Sequence, residues 1–135
     1  MSISFTILGC GSSLGIPRID GHFGYCNPKN PKNYRSRCSA LISSSNKNFL
    51  IDSSPDIKSQ LIKSKVKHID KIFYTHPHAD QTHGINDLRF FYLKYKKKLD
   101  VFADKATSKY LVNSFKYCFK NNFGYPAIFN LKKLK

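Results

Sequence analysis

The chain has 135 residues and carries 23 Lys and Arg against 8 Asp and Glu, a formal charge of +15. That length leaves room for one domain, residues 1–135, with one modest core. A hydrophobic share of 41% argues against wholesale disorder, and no apolar run is long enough to span a membrane. The opening Met1-Ser2-Ile3-Ser4 lacks the basic and apolar regions of a signal peptide, so a cytoplasmic protein is expected.

So large a positive charge attracts phosphate, whether in RNA or in phosphorylated small molecules. Against that, the lysines are dispersed, with clusters only at 63–67, 94–98 and 132–135, and dispersed charge is usually a solvated face. Glutamate is absent, so any catalytic carboxylate must be an aspartate. Cys10, Cys26, Cys38 and Cys118 form no C-x-x-C pair, which points to neither a disulfide framework nor a cysteine zinc site.

In chain order, residues 3–8 alternate and are β-rich, a strand. It runs into a loop with Gly9, Gly11 and Gly15, whose spacing fits neither standard phosphate loop and reads as a tight turn. Residues 20–37 are irregular, rich in Gly, Pro and Asn. Residues 38–43 and 48–52 read as a hairpin. Ser54-Pro55-Asp56 is a helix start, with the helix running to about Ser64 and burying Ile57, Leu61 and Ile62. A strand is expected over 68–75, a helix over 85–95 and a short strand over 99–103. Asp104 then caps a helix to about Phe119, whose apolar face is Tyr110, Leu111, Phe115, Cys118 and Phe119. A last strand covers 127–131. Strands and helices alternate, so the class is α/β.

The densest chemistry lies at 76–83, where His76, His78 and His83 stand with Asp80 just after an apolar strand. In an extended chain His76 and His78 share a side, and Asp80 reaches the same region. Imidazole and carboxylate are ligands that zinc, manganese or iron prefer, and such sites activate water for hydrolysis. Lone His22 and His68 read as ordinary surface or core residues.

T-H-x-H-x-D-x-x-x-G in a strand–loop–helix setting resembles the signature of the metallo-β-lactamase superfamily, normally written H-x-H-x-D-H. The likeness extends to I-L-G-C-G-S-S-L-G-I-P at 7–17, C-N-P-x-N-P-K-N-x-R-x-R-C-S at 26–39, F-L-I-D-S-S-P-D at 49–56 and H-G-I-N-D-L-R at 83–89. These resemble the branch of PhnP-type cyclic phosphodiesterases and span most of residues 3–131.

The resemblance implies an αββα sandwich, two sheets covered by helices, of which this chain holds the first half. It places a divalent metal, zinc or manganese, on His76 and His78, and a second on Asp80 and position 81. It makes Asp80 both ligand and catalytic group, with Asp52 supporting from behind, while His83, at a different spacing, reads as a supporting or solvent-facing histidine. A metal-bound hydroxide would then attack a phosphodiester in a phosphorylated small molecule or in RNA. The sequence departs from the pattern in three places. Gln81 stands where histidine is usual, no histidine follows His83, and the first loop has only Cys26 where relatives carry a cysteine cluster. An incomplete or degenerate hydrolase is therefore expected, with a complementing C-terminal half or self-association. The alternatives are a nucleic-acid-binding module and a catalytically silent subunit or remnant.

Overall fold

A computed structural model describes residues 2–134; Met1 and Lys135, the last lysine of the C-terminal cluster, lie outside it. Six strands form a single sheet whose spatial order is their chain order: β1 (Ile3–Gly9), β2 (Ser39–Ser44), β3 (Lys47–Ile51), β4 (Lys71–Phe73), β5 (Leu99–Ala103) and β6 (Phe129–Lys133). The first three pair antiparallel and the last four parallel. Parallel neighbours need crossovers. These are supplied by α1 (Ile57–Lys63), by α2 (Ala79–Thr82) with a 3-10 turn at Ile85–Leu88 and α3 (Arg89–Tyr95), and by α4 (Lys105–Ser114) with α5 (Lys116–Phe119).

Register determines what each face carries. Leu41, Leu50, Ile72 and Val101 are cross-strand partners on one face. They are buried with Ile57, Leu61, Leu88, Phe91 and Leu111 from the crossovers, forming one core. On the other face Phe5, Ile42 and Phe49 make one row, and Ile7, Ala40, Ile51, Phe73 and Phe102 the next. No described element covers this second face. Phe5 and Ile7 remain 62% and 66% exposed, and the Phe73 and Phe102 rings stack at 4.9 Å with Phe49 edge-on to Phe73.

Several expectations are corrected. The strand expected over 68–75 is only Lys71–Phe73. Asp70 instead ties to the hairpin, its carboxylate accepting from Asn48 N–H at 2.8 Å and from Lys47 at 3.2 Å. Ile62 is 68% exposed, because the outer face of α1 meets no neighbouring layer. Asp56 does not serve the start of α1 with its side chain; the carboxylate is taken by Arg37. The helix expected from Asp104 to Phe119 breaks at Phe115 into α4 and α5. Its cap is as read, with Asp104 accepting from Thr107 N–H at 2.7 Å, and Leu111 and Cys118 are buried. A short helix at Ala79–Thr82 was not anticipated.

Candidate metal centre

The site lies where β3 and β4 end side by side. Beyond β3 the chain turns at Asp52, whose φ of +56° lies in the left-handed region that Asp tolerates better than most residues. Its N–H donates to Phe73 C=O at 2.8 Å, and its own C=O accepts from the Ser39 hydroxyl at 2.8 Å. This fixes a buried carboxylate against the next segment. Asp52 Oδ1 accepts from Thr75 N–H at 2.8 Å and Oδ2 from the Thr75 hydroxyl at 2.7 Å. Burial raises the Asp52 pKa, and the two bonds from Thr75 oppose that rise.

Thr75 Oγ1 also lies 2.9 Å from His76 Nδ1. The hydroxyl has one proton, already given to the Asp52 carboxylate, so here it must accept. His76 therefore carries its proton on Nδ1 and presents the Nε2 lone pair outward. A buried carboxylate acting through a hydroxyl thus sets both tautomer and ring orientation, which is how ligating histidines are held. The His78 ring sits beside it, centroids 4.7 Å apart and 78° between planes. The spacing of one residue at a strand end brings both imidazoles together, as the sequence implied.

Asp80 and Gln81 open α2. Gln81 is buried, and its Nε2 donates to Asp80 Oδ2 at 2.9 Å, while its Oε1 is buried without a partner. The opposite amide orientation would set oxygen against carboxylate, so the chemistry selects this one. An orphaned buried acceptor costs about 1–3 kcal/mol, which a donor or a cation relieves. His83 points away. Its Nδ1 lies 3.2 Å from Thr82 Oγ1, and its ring packs edge-on against Phe115 at 5.3 Å.

The two imidazoles are two donors of the kind a divalent cation takes, short of the full tetrahedral set that zinc takes. Position 81 fits a second cation poorly, because a neutral amide already occupies part of the Asp80 carboxylate. Among the described residues no group of three or more His, Cys, Asp or Glu side chains stands close enough to hold an ion.

Comparison with known proteins resolves the kinship. Residues 47–133 match the model of the family described as Beta-lactamase superfamily domain. The chain belongs to the metallo-β-lactamase superfamily, in its PhnP-like branch. It superposes on the crystal structure of a diphosphatase from the PhnP family with a TM-score of 0.88 and 30% identity, over 100% of this chain and 51% of that one. The octanoyltransferase of Porphyromonas gingivalis (strain ATCC BAA-308 / W83) is 32% identical over 122 residues, 90% of this chain but only 24% of that protein. Zinc-bound PqqB from Methylobacterium extorquens shares the fold, with a TM-score of 0.76 at 14% identity over 98% of this chain and 46% of that one. This superfamily chain thus spans about half the length of the solved structures it resembles.

Some residues that matter here were missed in the sequence. Thr75 links Asp52 to His76; it opens the motif read in the sequence, but nothing there shows that role. Ser53 and Tyr74 form a buried hydroxyl pair at 2.6 Å behind the site, with burial pushing the Tyr74 phenol well up. Arg37 grips Asp56 through Nε and Nη2, each at 2.9 Å, and donates its backbone N–H to the same carboxylate at 2.9 Å. This lowers the Asp56 pKa and fastens the long loop to α1.

Proposed function

We propose that this chain supplies the metal-binding half of a phosphoester hydrolase of the metallo-β-lactamase superfamily. The supporting observation is the His76–His78 ring pair, with His76 oriented through Thr75 by buried Asp52, in a chain 30% identical along its whole length to a PhnP-family diphosphatase. A zinc or manganese ion bound there would lower the pKa of water and polarise a phosphorus–oxygen bond. His76 and His78 would hold that ion, and Asp80 would hold or orient the attacking water. Gln81 would support Asp80 rather than bind metal well.

The remaining ligands would come with the layer that covers the apolar face bearing Phe5, Ile7, Phe49 and Phe73. That layer would be a second sheet, whether on the same polypeptide or a separate one. The substrate class is a phosphodiester or diphosphate in a small molecule. The test assays this chain with zinc or manganese, alone and mixed with the remaining half of the PhnP-family diphosphatase, on bis(p-nitrophenyl) phosphate and inorganic pyrophosphate. Product release in the mixture, abolished by His76→Ala or His78→Ala, is expected. Release that either variant leaves intact, or none in any mixture, would contradict the proposal.

A further inference from the structure

The described residues form a second feature, an open cleft of about 580 Å³ between the glycine loop, residues 34–37 and α1, whose Arg18, Arg35 and Lys63 are exposed. That volume is in the range of small-molecule sites. Its walls are built rather than slack. Gly11 N–H donates to Ser36 C=O at 2.7 Å, and Ile16 and Arg35 exchange backbone bonds of 2.9 Å. The Arg37–Asp56 ion pair fastens the same segment to the helix. In the glycine loop the N–H groups of Gly11, Gly15 and Ile16 are used within the chain.

What the cleft offers is charge. Arg18, Arg35, Arg37 and Lys63 line it, with Asp56 the one acid. Asp56 is already consumed by Arg37. Arg35 and Lys63 have no side-chain hydrogen bond or ion pair with another described residue, and Arg18 meets only His22 Nδ1 at 2.6 Å. The lining therefore has a cationic excess, four basic side chains against the single acid Asp56. Arginine suits the oxygens of phosphate because its planar fork donates in pairs. Tyr34 and Leu14 on the rim supply apolar surface for the rest of a ligand.

We infer that this cleft binds the phosphate or diphosphate group of a small molecule, with Arg18, Arg35 and Lys63 as its donors. It deepens the hydrolase reading and rests on it for its purpose, since it would seat the part of the substrate that does not react. Binding itself needs no metal, so the two are separable. The experiment is calorimetric titration of the chain with inorganic pyrophosphate and with orthophosphate, in EDTA at low salt. Pyrophosphate is expected to bind more tightly than orthophosphate. Arg35→Gln and Lys63→Gln should each raise Kd about tenfold, the loss of one charge-assisted hydrogen bond. Lys97→Gln with Lys98→Gln, remote from the cleft, should leave binding unchanged. Circular dichroism confirms that each variant is folded.

Pyrophosphate binding that Arg35→Gln and Lys63→Gln leave intact would overturn the inference. So would equal weakening by the remote lysine pair, which would mark a general charge effect, or binding of single-stranded RNA with pyrophosphate ignored. Intact pyrophosphate binding in a chain that never hydrolyses phosphoesters would sink the hydrolase reading alone.

Discussion

Replacing Thr75 with valine keeps the shape of the side chain and deletes one oxygen. That oxygen donates to Asp52 Oδ2 at 2.7 Å and sits 2.9 Å from His76 Nδ1. The buried carboxylate loses one of its two side-chain-directed bonds, which costs about 1–2 kcal/mol of stability. The larger effect falls on His76. Without an acceptor at Nδ1, its proton is free to move to Nε2, the atom that would bind the metal. Partners of this kind typically control about 10- to 100-fold in metal affinity, or about 1.4–2.7 kcal/mol. Competition for zinc against a chromophoric chelator reads the affinity, and nitrogen NMR of the imidazoles reads the tautomer. Wild type should show His76 protonated at Nδ1, and Thr75→Val a mixture with weaker zinc binding. Nε2–H in wild type, or unchanged zinc affinity in the variant, would refute the relay.

Arg37→Ala leaves Asp56 without its fork and should cost about 1–2 kcal/mol, since the pair is bidentate and about two-thirds buried. The folded pKa of Asp56 lies below its ordinary value of 3.8. The stabilisation is therefore full above that value and fades as pH falls through the folded pKa. Urea midpoints of wild type and Arg37→Ala should differ at pH 7 and converge in strong acid; a gap that persists there would argue against the ion pair as the cause. Gly84→Ala should destabilise by about 3 kcal/mol, because an added Cβ there runs into the Ser54 carbonyl. Thermal denaturation checks it, and an unshifted melting temperature would mean that the Ser53–Ser54 turn can yield.

The sequence foretold the His76–His78 pairing and the alternation of strands and crossovers because both are local. A spacing of one residue in extended backbone, here just beyond β4, puts two rings together whatever lies further away. The bounds of the expected strand 99–103 match β5 because its alternation agrees with its burial, whereas residues 3–8 lie within a β1 that runs on to Gly9 and is largely exposed. The misses are tertiary. His68 to Asp70 look like strand, but Asp70 finds better partners in the hairpin, so β4 shrinks to three residues. Ile62 fits the helical stripe of α1, yet no layer packs on that side. Asp56 reads as a helix-start residue until Arg37, nineteen positions away, claims it. Gln81 stood out as a departure, but its effect on Asp80 depends on a rotamer that no spacing reveals.

The uncovered sheet face was legible only through the resemblance to a two-sheet sandwich. Periodicity puts Phe5 with Ile7, and Phe49 with Ile51, on one side of their strands, without saying what lies opposite. The structure shows a face bearing stacked aromatics and no described element upon it, in a chain that spans 51% of the diphosphatase it resembles.

The most direct measurement is the metal content of the purified chain by inductively coupled plasma mass spectrometry, beside His76→Ala and His78→Ala. A single zinc or manganese ion per chain, lost in both variants, is the result expected of two adjacent imidazoles, one of them pre-aimed by Asp52 and Thr75. Metal retained in the variants, or none taken up by wild type from buffered zinc, would contradict it.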